Sequence, residues 1–426
     1  MIVYLICYAA SWIFARFGLY YLSGAALFLA AGYLYVYDYR RSGNLIHLRG
    51  LFSCFWVGGQ GAACLKLSKL QTDWALQTWI CFFLALVGFW ITFEVLDRLM
   101  GGNERFTMNR YRQRSTVRPL FFCIVGLTVI SAAAFVTEAA VLGFIPVLVR
   151  GVPHAYSAFH MTGLHYVTVS CVLIPAMTVL YFEQGGSRSG RKNGLIVLCA
   201  LVSIAIPILC VSRFQLVFAV ILAVFTFCAS QKNVSPWLFV AAVVALIPCY
   251  VLLTVARSHD VTYLNGIFEM KNSRMPIFVS QPYIYIANNY ENFDCLVKAL
   301  PAHTWGIRML FPVWALTGLK FLYPYLVSFP IYVDKTELTT VTLIYDAYYD
   351  FGIIGVLVFA CILGAVCFFL VEKLREMKNP MGYLFYGQMA IYMMLSFFTT
   401  WFSNPTTWFY FLVTAVLTFY CSVSRR

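Results

Sequence analysis

Charge is what this sequence has least of. Only 11% of its 426 residues are Asp, Glu, Lys or Arg, against 62% hydrophobic residues. Soluble globular chains carry roughly 25% charged residues. The deficit excludes an ordinary soluble domain and makes lipid the implied solvent. Acid is scarcer than base, with 17 Asp+Glu facing 30 Lys+Arg and a formal net charge of +13. CxxC pairs are absent, and the 14 cysteines are spaced for neither a zinc site nor a disulfide framework. Most of them, such as Cys54, Cys123, Cys199, Cys228 and Cys361, sit inside apolar stretches and read as small hydrophobes. No internal repeat is present, and no Asp/Glu pair has metal-like spacing. The Asp350-Phe351-Gly352 triplet has none of the companion motifs of a kinase.

What the chain does have is apolar runs, and a helix needs roughly 20 such residues to cross a bilayer. They fall near 2–15, 18–37, 51–67, 74–97, 119–148, 160–183, 195–211, 214–230, 236–255, 352–372, 382–400 and 406–422, which predicts about twelve helices. The first, MIVYLICYAASWIF, lacks a basic leader and a small-residue cleavage site, and reads as a retained helix. The expected fold is an all-α polytopic membrane protein forming one integral membrane domain over residues 1–426.

The basic excess is clustered between these runs. Arg40, Arg41 and Arg49 form one group, and Arg98, Arg105, Arg110, Arg112, Arg114 and Arg118 a second. Arg188, Arg191, Lys192, Lys232, Lys373, Arg375, Lys378, Arg425 and Arg426 complete the pattern. Basic loops stay cytoplasmic, and an even number of crossings separates successive clusters. Both termini are therefore expected in the cytoplasm. The charge reads as an orientation signal with anionic lipid headgroups as neighbours, not as a nucleic-acid surface.

One segment breaks the short-loop pattern. Residues 256–351 read as an external loop between the ninth and tenth helices, with acid and base nearly balanced. Within it, 306–330 is apolar but interrupted by Arg308, Pro312, Lys320, Pro324 and Pro330, which suits an interfacial or re-entrant segment.

Charges near membrane depth are costly, so those present are candidate site residues. Arg213 stands between two short apolar runs with no spare length, which draws the Ser212–Arg213 turn into the outer leaflet. A second cluster runs Arg150-Gly-Val-Pro-His154-Ala-Tyr156, then His160 and Gly163-Leu-His165-Tyr166. Its histidine spacing does not suit helical zinc, and a base, proton donor or phosphate ligand fits better. A third holds Arg257, His259 and Asp260, with Arg274 further on; a fourth runs from Asp346 to Asp350 and Gly352. Asp350 also has the chemistry of a helix cap. Glu138 lies inside an apolar stretch, its role open. Four outward arginines (Arg150, Arg213, Arg257, Arg274) point to an anionic ligand, since guanidinium forks match phosphate.

The order Gly143-Phe-Ile-Pro146, Arg150, Gly163-Leu-His165-Tyr166, Ser212-Arg213, a large external loop and Tyr349-Asp350-Phe-Gly352-Ile-Ile-Gly355 resembles the Wzy-type repeat-unit polymerases of O-antigen and capsule pathways. The resemblance implies a GT-C type membrane glycosyltransferase of the bacterial cytoplasmic membrane. Such an enzyme joins undecaprenyl-diphosphate-linked oligosaccharides, donor and acceptor both lipid-bound, without metal or other cofactor. It implies that Arg150, Arg213, Arg257 and Arg274 bind diphosphate. It leaves His165, His259 and Asp350 as candidates for the base or for acceptor alignment, and a chain-length regulator as a partner. The alternatives are an O-antigen ligase, which shares the plan, and a lipid-linked oligosaccharide flippase, for which internal repeats would be expected.

Overall fold

The computed structural model describes residues 1–100, 117–149, 155–231, 261–272, 274–375 and 377–423, with isolated positions between 234 and 244. Among these residues no strand forms, and the long elements are all helices. They are α1 (Ile2–Arg16), α2 (Tyr20–Ser42), α3 (Leu48–Cys64), α4 (Leu76–Leu99), α5 (Val117–Leu142) and α6 (Leu164–Glu183). There follow α7 (Gly190–Leu209), α8 (Arg213–Ser230), α9 (Ile277–Ala299), α10 (Tyr345–Arg375), α11 (Met381–Met394) and α12 (Pro405–Val423).

The expected apolar stretches fall on α1 to α8 and α10 to α12. The stretch 236–255 lies, apart from isolated positions, outside the described residues. Among the described residues, seven helices are long and apolar enough to cross a membrane: α4, α5, α6, α7, α8, α10 and α12. The chain is thus an all-helical polytopic membrane protein. Fewer helices meet that measure than the twelve expected. At 15, 17 and 14 residues, α1, α3 and α11 are short, and tyrosines dilute the apolar run of α2.

The chain divides into two compact units. The first comprises Met1–Phe106, Asp260–Glu372 and Tyr392–Thr407; the second comprises Thr107–His259, Lys373–Ile391 and Trp408–Arg426. In the first, α2 packs on α1 and α3, and α9 packs on α3 and α4. In the second, α5 packs on α6 and α7, and α8 packs on α6.

The segment 256–351 is more structured than a loop, because it contains the 23-residue α9. This helix was not anticipated, because its buried face is polar: Asn288, Asn289, Glu291, Asn292 and Asp294 are all enclosed. Buried polar groups need partners, and these have them. Glu291 accepts from Lys66 Nζ at 2.5 Å, Trp74 Nε1 at 2.8 Å and the Thr72 amide at 3.2 Å. The Asn292 amide donates to the Leu338 and Thr340 carbonyls, each at 2.7 Å, and Asn289 donates to Phe397 O at 2.8 Å. Residues 306–330 form only short helical pieces, Phe311–Leu316, Leu319–Leu322 and Pro324–Leu326. They expose Phe321, Leu322, Tyr323 and Tyr325.

Candidate active site

In the second unit the chemistry gathers around Glu138. This residue sits four positions before the end of α5, inside an otherwise apolar helix, and is fully buried. A bare carboxylate there would be prohibitive, and α6 together with the turn before it answers the need. The Met161 amide donates to Glu138 Oε1 at 3.1 Å, and the Thr168 hydroxyl donates to Oε2 at 2.7 Å. His165 Nδ1 lies 3.2 Å from each oxygen. Because a carboxylate only accepts, an ionised Glu138 takes Nδ1–H as the donor, and a neutral imidazole so held carries its lone pair on Nε2.

The backbone explains how His165 reaches that position. Gly163 adopts φ +86° immediately before α6, a conformation that side chains disfavour, so the chain turns sharply into the helix. Phe159, almost wholly buried, wedges between Phe135 and Phe144 with ring centroids 5.7 Å from each. His160 places its ring edge-on to His165, with centroids 4.9 Å apart.

A cavity of about 220 Å³ opens beside this pair, lined by Ser157, Phe159, His160, His165, Cys210, Ser212 and Gln215. It is smaller than the roughly 300–1,000 Å³ of a complete ligand pocket. Arg213 opens α8 between two lining residues, Ser212 and Gln215, and is about nine-tenths buried. The α7–α8 turn that carries it is tight: Val211 takes φ +56°, and the Ser212 amide donates to Pro207 O at 2.9 Å. The expected short turn between α7 and α8 is present, with Arg213 enclosed by protein. The unit therefore places two imidazoles at one small cavity, next to the turn that leads into Arg213.

The first unit holds a different cluster. Asp350 is fully buried, and both its oxygens are engaged. Oδ1 accepts from the Thr304 hydroxyl and from the Arg308 amide at 3.2 Å, and Oδ2 accepts from the Met309 amide at 2.7 Å. Asp350 thus clamps the 304–309 loop onto α10. Arg308 donates through Nε to Asp346, and its guanidinium lies 4.7 Å from the Tyr349 ring centroid and 5.3 Å from that of Tyr345. Burial alone would lower the Arg308 pKa, but the Asp346 carboxylate outweighs it and raises the value. Gly352 breaks α10 with φ +62° and ψ −147°. A Cβ there would come within 3.0 Å of His303 Nε2.

Of the sequence-predicted residues, His165 lines the cavity in the second unit, and Arg213 directly follows the lining residue Ser212. Asp350 belongs to the clamp in the first. Arg274, exposed in a turn of the first unit, donates its amide N–H to Asn272 Oδ1 at 3.0 Å. Arg150, Arg257 and His259 lie outside the described residues. Glu138 is the residue whose role the sequence left open. Its signal was there, a lone acid within a long apolar run, but the partner across 27 positions was not. Arg308 was visible only as an interruption. Among the described residues, no group of three or more His, Cys, Asp or Glu side chains is placed to hold a metal ion. No family model, no curated protein and no solved structure matches this chain.

Proposed function

We propose that this protein is a membrane glycosyltransferase that polymerises undecaprenyl-diphosphate-linked oligosaccharide repeat units into O-antigen or capsular polysaccharide, as its resemblance to Wzy-type polymerases implies. The observation that carries the reading is His165, held by Glu138, lining a cavity that Ser212, the residue before Arg213, also lines. Glycosyl transfer from a diphosphate needs a proton acceptor and a fixed cation, and both are present in a chain whose solvent is lipid.

In the proposed step, the acceptor hydroxyl gives its proton to His165 Nε2 as its oxygen bonds to the anomeric carbon of the donor. The bond from that carbon to the diphosphate oxygen breaks, and the electron pair leaves with the diphosphate. Arg213 stabilises the departing charge, joined in this reading by Arg150 and Arg257. Preorganised cations shielded from water are effective in this task, so the mechanism calls for no metal. Both reactants would arrive through the bilayer on their own lipid tails.

Purified protein supplied with lipid-linked repeat units is expected to yield a ladder of glycan lengths, with EDTA present. Arg213→Ala should abolish the ladder and Arg213→Lys should restore part of it. A full ladder from Arg213→Ala would overturn the assignment. Transfer of glycan to a lipid core acceptor in place of chain growth would identify a ligase.

A further inference from the structure

We propose that the C-terminal ends of α2 and α4 bind the phosphate headgroup of an anionic phospholipid. The site lies in the first unit and is independent of the proposed glycan transfer.

A cavity of about 880 Å³ opens at these helix ends. Its wall is lined by Arg40, Arg41 and Arg98 together with Glu94, and Arg41 is further paired with Asp97 at 2.5 Å, which leaves Arg40 and Arg98 as the outward cations. Glu94 is the organiser of the wall. It accepts from Arg49 Nη1 at 2.9 Å and lies 3.4 Å from both Arg41 and Arg98. Arg49 is itself immovable, being only 1% exposed, paired through Nε and Nη2 with Asp38, and stacked 4.1 Å from the Trp90 ring centroid. A buried, fully partnered arginine thus fixes the acid that sets the rim arginines. That arrangement resembles a constructed site more than scattered surface charge.

The surroundings of the rim argue for an amphiphile. Leu29, Tyr33, Val36 and Tyr37 form an exposed strip along α2 that leads to Arg40, and Ile91 and Val95 do the same along α4 toward Arg98. Spacings of three and four residues keep each strip on one helix face. Apolar rails ending in arginines match acyl chains below a phosphate, and tyrosines suit the interfacial level between them. Guanidinium forks match phosphate oxygens in pairs, and basic pockets at the ends of membrane helices favour anionic headgroups. A free phosphate shares the head chemistry but would make no use of the rails.

The full-length protein in neutral detergent can be titrated with phosphatidylglycerol, or with phosphatidylcholine of the same chains, and bound lipid counted by native mass spectrometry. Phosphatidylglycerol should bind about tenfold or more tightly than phosphatidylcholine. Arg40→Gln with Arg98→Gln should remove that preference, while Arg40→Lys with Arg98→Lys should keep most of it. Arg98→Gln alone should weaken it, and serves if the double variant is poorly folded. Millimolar inorganic phosphate should not displace the lipid. Equal binding of the two lipids, or a preference that survives the glutamine variants, would overturn the proposal. Displacement by inorganic phosphate would show a free-anion site instead.

Discussion

At the level of single residues, the protein hides charged groups where apolar ones would be expected and pairs several of them. Glu138 and His165 are the clearest pair. If the carboxylate orients the imidazole, the two act as one unit, and their losses should not add. If the proposed glycan transfer holds, His165→Ala is expected to slow it by about 10²-fold or more. Glu138→Gln should slow it by less, and the double variant should be no slower than His165→Ala alone. Extension rates of the four proteins measure this, and fully additive losses would separate the two residues. Lys66 and Glu291 make a second pair. Burial, the largest influence, pushes the Glu291 carboxyl above its usual range, and Lys66 pulls it partly back. A carboxyl raised on folding contributes stability that is present at low pH and lost as pH rises through its folded value. Removing Lys66 should therefore hurt most when Glu291 is ionised. Lys66→Met is expected to cost about 3–5 kcal/mol near pH 8 and clearly less near pH 5. Thermal midpoints at the two pH values give the comparison.

At the level of elements, apolar length made most helices legible, because a lipid-exposed helix must be apolar over nearly its whole span. α9 escaped that logic. Its buried face is built from Asn and acid side chains whose partners come from 66–78, 334–340 and Phe397, far away along the chain. Hydropathy cannot register such partners. α10 was only partly legible: the sequence places its start at 352 with Asp350 as a cap, whereas the helix begins at Tyr345 and breaks at Gly352. Gly352 holds a positive φ beside His303, a position where any side chain is both strained and crowded. Gly352→Ala is expected to destabilise the protein by roughly 1–3 kcal/mol, read as a lowered thermal midpoint in detergent. An unchanged midpoint would mean that the break relaxes without cost.

At the level of the whole molecule, the sequence by itself determined the solvent and most of the helix positions. Bilayer thickness converts directly into a length of apolar chain, and 11% charge leaves no other medium. It also named His165 and Arg213, because a polar residue among apolar ones is conspicuous wherever it stands. Tertiary structure alone decided which polar groups meet. It paired His165 with Glu138 across 27 positions, turned Asp350 into a clamp on the 304–309 loop, and gathered Arg41, Arg49 and Arg98 around Glu94. Hydrophobic patterning is a property of a segment and can be read along it. A hydrogen bond or ion pair is a property of two segments brought together, and its partners are chosen only when the chain packs.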